Sequence, residues 1–240
     1  MKSAYPADTH VVTESTDDGR ARGGVLIVED HQLLAQSLSL ALTAEGFSVT
    51  VAALDSVAGI IETFERSEAG IVLLDLDLGG SVGDGLGLVR LLRERGGRVL
   101  VVSGSDDQPR LASCLEQGAV GILPKSTPYE RLLEAVLDVA AGRPVISECD
   151  RHAMLTELRT WRARQRHEFA PFELLTARES QVLAALMDGQ GCDAIASAWF
   201  VSEATVRTQI RGVLTKLGVS SQLAAAAQAQ RVGWRPPPAG

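Results

Sequence analysis

The chain is poor in cysteine and has no long apolar run. Its three cysteines, Cys114, Cys149 and Cys192, are odd in number and widely spaced over 240 residues. They fit neither a disulfide framework nor a zinc motif, and they point to a reducing cytosol, hence a cytoplasmic protein. No stretch approaches the roughly 18–20 apolar residues that cross a bilayer, so no membrane role is expected. The first residues, MKSAYPADTHVVTESTDDGRARGG, lack the apolar segment of a secretory signal and read as a disordered polar leader over 1–23. An excess of basic charge is also missing, since the net charge is −7. That deficit is uneven. Residues 24–145 hold 17 acidic and 9 basic side chains, whereas residues 172–240 hold 5 and 6. The acidic half repels a polyanion, which leaves the C-terminal half as the place for any nucleic-acid site.

What is present is ordinary globular composition, 45% hydrophobic and 22% charged, in a chain long enough for two domains. Apolar runs that read as strands, VLIVED (25–30), FSVTVA (47–52), IVLLD (71–75), RVLVVSG (98–104) and AVGILPK (119–125), alternate with five helical patterns. The last of these helices, 127–142, opens with Thr127 as its expected cap and Pro128 at its first position. Alternation of this kind predicts an α/β domain with a doubly wound, five-stranded parallel sheet, whose ligands bind beyond the carboxyl ends of the strands. Residues 146–171 read as a helical linker broken at Pro171. A small all-α domain follows over 172–234, and 235–240 form a proline-rich tail.

The strands end in unusual company. VLIVED closes on Glu29 and Asp30, IVLLD on Asp75, RVLVVS on Ser103, and the last strand runs to Lys125. All of these converge on one edge of the sheet. Three carboxylates held together repel unless a cation lies among them. Magnesium suits the set because it takes hard oxygen ligands and is commonly held by one or two carboxylates plus a phosphate. A lysine and a hydroxyl beside it supply the positive charge and the donor that a phosphoryl group needs, and an aspartate can act as nucleophile to form an acyl phosphate. His31 is better read as the start of the first helix than as a ligand, because magnesium does not select imidazole. The glycines of GGSVGDGLG (79–87) lack the P-loop lysine and read as a flexible loop.

The set Glu29-Asp30, Asp75, Ser103 and Lys125, in this order on these strands, resembles the receiver domain of two-component response regulators over residues 24–145, a flavodoxin-like fold. The resemblance implies that Asp75 is the phosphoacceptor, that Asp30 and Asp75 bind Mg2+ directly, that Glu29 acts through water, and that the Asp77 carbonyl supplies another ligand. It also implies that Ser103 and Lys125 contact the phosphoryl oxygens and that a sensor histidine kinase is the phosphodonor. The chain departs from the family's pattern in three ways. The proline usual after the phosphoacceptor is missing, the loop after Asp75 is about two residues longer, and Ile122 occupies the switch position, three before Lys125, where an aromatic is usual.

In the C-terminal half, LTARESQVLAALMDG (175–189) opens with Thr176 and Glu179 in capping-box spacing. Along VSEATVRTQIRGVLTKLGV (201–219), Ser202 is the expected cap. Val206, Ile210, Val213, Leu214 and Leu217 share one arc of about 100°, and Arg207, Thr208, Arg211 and Thr215 share another. The whole pattern resembles the LuxR-type helix-turn-helix of NarL/FixJ response regulators. This implies a recognition helix over 203–217 that enters the major groove of double-stranded DNA, with Arg207, Thr208 and Arg211 facing the DNA and Lys216 near phosphate. The alanine-rich segment 220–234 would pair two copies into a homodimer. The expected function is therefore a phosphorylated, DNA-binding transcriptional regulator, not an enzyme acting on other molecules. The alternative is a constitutive DNA-binding regulator whose pseudo-receiver serves only as a protein-interaction module. A phosphatase-type enzyme ranks last, because no second general acid or substrate pocket is evident.

Overall fold

The computed structural model describes residues 22–236. The expected leader lies outside these residues apart from its last two, as does the tail apart from its first two. Two compact units divide between Leu155 and Thr156. Among the described residues no helix is long and apolar enough to cross a membrane.

The N-terminal unit runs β1 (Gly24–Val28), α1 (Gln32–Ala44), β2 (Ser48–Val51), α2 (Val57–Arg66), β3 (Ala69–Leu74), β4 (Asp77–Gly79), β5 (Gly83–Asp84), α3 (Leu86–Glu94), β6 (Arg98–Ser103), α4 (Gln108–Glu116), β7 (Gly121–Pro124) and α5 (Tyr129–Ala140). Five strands form one parallel sheet in the order β2-β1-β3-β6-β7. Each inner strand is apolar on both faces, and the two faces separate cleanly by alternation. Leu26, Val28, Val72, Leu74, Val99 and Val101 pack with α2, α3 and α4. Val25, Ile27, Ile71, Leu73, Leu100 and Val102 pack with α1 and α5. Side chains alternate in direction along a strand, so a continuous apolar run fills two cores at once. Because the chain leaves β1 toward opposite edges on its two sides, the topological switch point falls between β1 and β3, at the ends that carry Glu29, Asp30 and Asp75.

Two local expectations shift. Tyr129 is the first residue of α5 and Pro128 its cap. Thr127 instead donates its amide to the Pro124 carbonyl (2.9 Å), closing the preceding turn. The glycine-rich segment after Asp75 is not a loose loop. It is the antiparallel hairpin β4–β5, with Gly79, Gly80 and Gly83 at positive φ of 56°, 49° and 69°. Glycine makes such a turn at little steric cost.

The helix α6 (Glu148–Glu173) contains the division between the units. Pro171, expected to break it, lies in its last turn. There the ring forfeits only the bond to the His167 carbonyl, and the next residue, Phe172, is buried against Trp234 with ring centroids 5.8 Å apart. The C-terminal unit continues with α7 (Ala177–Met187), α8 (Cys192–Ala198), α9 (Glu203–Leu217) and α10 (Gln222–Arg231). Val206, Ile210, Val213 and Leu217 of α9 share a core with Val182, Leu183 and Leu186 of α7 and with Ala225 and Ala229 of α10. The alanines of α10 thus pack largely within their own domain, while Leu223 remains exposed.

The capping box forms as its spacing predicts: the Thr176 hydroxyl accepts the Glu179 amide (3.3 Å), and the Thr176 amide donates to the Glu179 carboxylate (2.7 Å). The same carboxylate receives the Lys216 ammonium (2.6 Å), tying α9 to α7. Burial alone would raise the Glu179 pKa. The bonds from Lys216 and from the Thr176 amide and hydroxyl outweigh it and hold the group below its ordinary value of 4.5. A depressed carboxylate stabilises the fold fully above its unfolded pKa and loses that contribution as pH falls through its folded pKa. Lys216→Met should therefore destabilise the domain by about 1–3 kcal/mol at neutral pH, because it leaves a buried acceptor without its cation. Glu179→Gln should flatten the acid side of the stability curve below about pH 4.5. Urea unfolding across pH tests both; unchanged midpoints at neutral pH for Lys216→Met would contradict the first.

Candidate functional site

Two strand ends and one lysine make the core of the site. Glu29 and Asp75 follow β1 and β3 directly and are buried, at 7% and 2% exposure. The Asp75 amide donates to the Val28 carbonyl (2.9 Å), which fixes the two strand ends side by side. Lys125 follows β7, and its amide donates to the Ser103 carbonyl at the end of β6 (2.9 Å). From there the ammonium crosses the edge of the sheet to Glu29 Oε1 (2.7 Å) and Asp75 Oδ2 (2.9 Å). Burial works to lower the Lys125 pKa, but the bonds to Asp75 and Glu29 prevail and raise it. The lysine is therefore a fixed cation.

One atom in this arrangement has no partner. Asp75 Oδ1 is buried and accepts no hydrogen bond among the described residues. An unpartnered buried carboxylate oxygen is costly, and such groups mark places where function asks for it. Glu29, Asp30, His31 and Asp75 each bring a ligand atom within 4.8 Å of the others. The carboxylates among them are the hard oxygen donors that Mg2+ takes, and an orphaned oxygen points to a cation ligand, so the residues fit that ion. His31 caps α1 as expected, through its backbone. Its ring also leans on Asp30 Oδ1 (2.7 Å) and Glu29 Oε1 (3.0 Å), a contact that sequence reading did not foresee.

Ser103 is buried at the end of β6, and its hydroxyl accepts the Ser105 amide (3.1 Å). Ile122 is half-buried on β7 opposite Val101, on the face of the sheet that packs against α4, away from the carboxylates. Asp77 lies on β4, where its side chain turns from the acidic cluster toward Arg110.

Arg110 is the residue that sequence reading missed. Asp107 caps α4 by accepting the Arg110 amide (3.2 Å). The guanidinium then reaches Asp77 Oδ1 (2.7 Å), Asp84 Oδ1 (2.9 Å) and the Leu76 carbonyl (2.8 Å). One planar cation thus pins both strands of the hairpin and the residue next to Asp75. Burial would raise the Asp84 pKa, but the Leu86 amide and Arg110 hold it below its usual value. The signal in the sequence was two acids flanking a glycine cluster; which helix supplies their cation is decided only in space. Gly85 completes the junction, since a Cβ there would collide with the Asp75 carbonyl oxygen.

On α9, Arg207, Thr208 and Arg211 are exposed together, opposite the buried Val206, Ile210, Val213 and Leu217. The Ser202 hydroxyl caps the helix by accepting the Thr205 amide (3.2 Å). Arg207 donates to Glu203 one turn earlier (2.8 Å), and Thr208 to the Ala204 carbonyl (3.0 Å). Lys216 lies off this face, and its ammonium is engaged by Glu179 within the domain.

Comparison with known proteins agrees with this geometry. Residues 25–137 match the response regulator receiver domain, and residues 173–229 match the luxR family of bacterial regulatory proteins. The chain is 32% identical to the probable transcriptional regulatory protein NarL of Mycobacterium tuberculosis, over 86% of this chain and 93% of that protein. It is 34% identical to the nitrate/nitrite response regulator protein NarP of Escherichia coli, over 84% and 91%. A solved structure of RcsB from Salmonella enterica serovar Typhimurium, bound to a promoter in the presence of the phosphomimetic BeF3−, aligns over 88% of this chain and 99% of that one, at 21% identity and a TM-score of 0.47. The chain belongs to the two-component response regulators that carry a LuxR-type DNA-binding domain. It is a transcriptional regulator, not an enzyme acting on other molecules.

Because Arg110 joins α4 to the hairpin through Asp77 and Asp84 and to the Leu76 carbonyl, Arg110→Ala should speed amide exchange in residues 77–84 by about tenfold while leaving the β3 and β6 amides protected. Hydrogen exchange read by mass spectrometry tests this. Equal protection of the hairpin in both proteins would show that the clamp is dispensable.

Proposed function

We propose that Asp75 is the residue phosphorylated by a sensor histidine kinase and that the modification controls DNA binding by α9. The observation that carries this reading is the Asp75 carboxylate itself. One oxygen is held by Lys125, and the other is buried without a partner among the described residues. The Asp75 carboxylate attacks the phosphorus of a phosphohistidine, forming a P–O bond as the P–N bond breaks and the imidazole leaves. Lys125 then bears on the phosphoryl oxygens. The Ser103 hydroxyl, whose oxygen already accepts the Ser105 amide, keeps its proton to donate to them. Glu29, Asp30, Asp75 and the Asp77 carbonyl would hold Mg2+, which when bound offsets the negative charge that gathers on the phosphoryl group.

The receiver would span residues 24–145, the linker 146–171 and the DNA-binding domain 172–234, in a cytoplasmic protein. Arg207, Thr208 and Arg211 would read the major groove, and a homodimer would place two α9 helices on paired half-sites, because a two-fold protein matches a pseudo-palindromic operator. Lys216 would serve the fold. Ile122 has no aromatic ring to relocate, so the Arg110 clamp is the better candidate to carry a change at Asp75 to α4.

Incubation with Mg2+ and a small phosphodonor should add one phosphoryl group by intact mass, and Asp75→Asn should abolish it. Full labelling of the variant would move the site elsewhere. No labelling of wild type would favour a constitutive regulator with a pseudo-receiver. In DNA binding, Arg207→Ala with Arg211→Ala should weaken affinity by about 1–3 kcal/mol for each arginine that bonds a guanine edge, with base-specific effects. Unchanged affinity in the double variant would remove α9 as the reader.

A further inference from the structure

We infer that the second half of α6 is a phosphate-binding face that adds to the DNA footprint of α9; this rests on the DNA-binding reading above. Residues 156–240 carry 7 acidic and 10 basic side chains, against 23 and 13 in residues 1–155. The arginines of the N-terminal unit also differ in their pairing from two of those on α6. In the N-terminal unit Arg22, Arg66, Arg90, Arg95, Arg131 and Arg143 each sit on a carboxylate. On α6, Arg159 and Arg166 are exposed and pair with no carboxylate among the described residues.

Helical spacing explains why these two cannot pair along their own helix. A helix made merely soluble carries acids three or four residues from its bases. Around Arg159 those positions are Leu155, Thr156, Arg162 and Ala163; around Arg166 they are Arg162, Ala163, Phe169 and Ala170. None is acidic. At about 100° per residue, Arg159, Arg162 and Arg166 fall within an arc of about 60°, while Glu157 and Glu168 lie on the far side of the helix. Ala163 and Ala170 border that arc, within about 40° of Arg159, and are exposed, so short side chains leave room for close approach by a large partner. Arg159 and Arg166 stand about 10 Å apart along the axis, the rise of about three nucleotides on one strand. Guanidinium forks match phosphate oxygens in geometry as well as charge. A face of this kind reads no base; it binds the backbone.

The test is binding of the full chain to a random-sequence duplex across salt concentrations. The slope of log affinity against log salt reports the number of phosphates contacted, at about 0.9 for each. Arg159→Ala with Arg166→Ala should make the slope shallower by about 2, and the lysine pair at the same positions should keep the wild-type slope. The ratio of specific to random-sequence affinity should stay within about twofold, which separates this face from the base-reading one. An unchanged slope in the alanine variant, with wild type binding normally, overturns the inference and leaves α9 as the whole footprint; an acidic protein partner for this face would give that result. If wild type binds no duplex even at low salt, the DNA reading itself fails and the inference falls with it.

Discussion

A carboxylate at the carboxyl edge of a parallel sheet needs cations, and Asp75 is almost wholly removed from water. Lys125 supplies one, spanning from β7 to the ends of β1 and β3, and much of the N-terminal unit is arranged so that this reach is possible. The strand order brings β1 and β3 together at the switch point, so that Glu29 and Asp75 share the same ammonium. The apolar alternation along both strands holds those ends rigid from either face. Charge at the rim is therefore positioned by hydrophobic packing beneath it, and the two cannot be separated without losing the site.

The C-terminal unit faces the same problem and solves it to a different end. Glu179 is also buried, and it too is met by a lysine, Lys216. There the carboxylate receives an amide, a hydroxyl and an ammonium, which gives a joint between two helices. At Asp75 one oxygen receives Lys125, and the other is buried with no donor among the described residues. The two carboxylates thus differ in what meets their bonded oxygen: an amide, a hydroxyl and an ammonium at Glu179 Oε2, and the Lys125 ammonium at Asp75 Oδ2. A buried carboxylate oxygen without a donor is the feature that the proposed phosphorylation of Asp75 draws on.

The hairpin after Asp75 shows how a longer connection can be kept in order. Three glycines at positive φ let the chain reverse, and Arg110 gathers the two aspartates that flank them. Leu76, the residue beside Asp75, is thereby joined to α4 through a charged fork. If Asp75 is phosphorylated as proposed, the added charge would act on a carboxylate whose neighbour Leu76 is bonded to α4.

Periodicity and residue type alone determined the α/β class, the polar residues that close the apolar strands, and the two faces of α9, because each depends on spacing within a single element. Strand alternation and helical repeat are local, and so is the placement of a polar residue at the end of an apolar run. The partners of charged groups far apart in the chain were settled only by tertiary structure. Asp77 and Asp84 meet Arg110 across 33 and 26 residues, and Glu179 meets Lys216 across 37. No local pattern encodes such pairs, which is why Arg110 passed unnoticed and the bond between Glu179 and Lys216 was not foreseen. The glycine-rich stretch read as loose for the same reason: its order comes from a guanidinium on another helix, brought within bonding distance only once the sheet and its helical layers have packed.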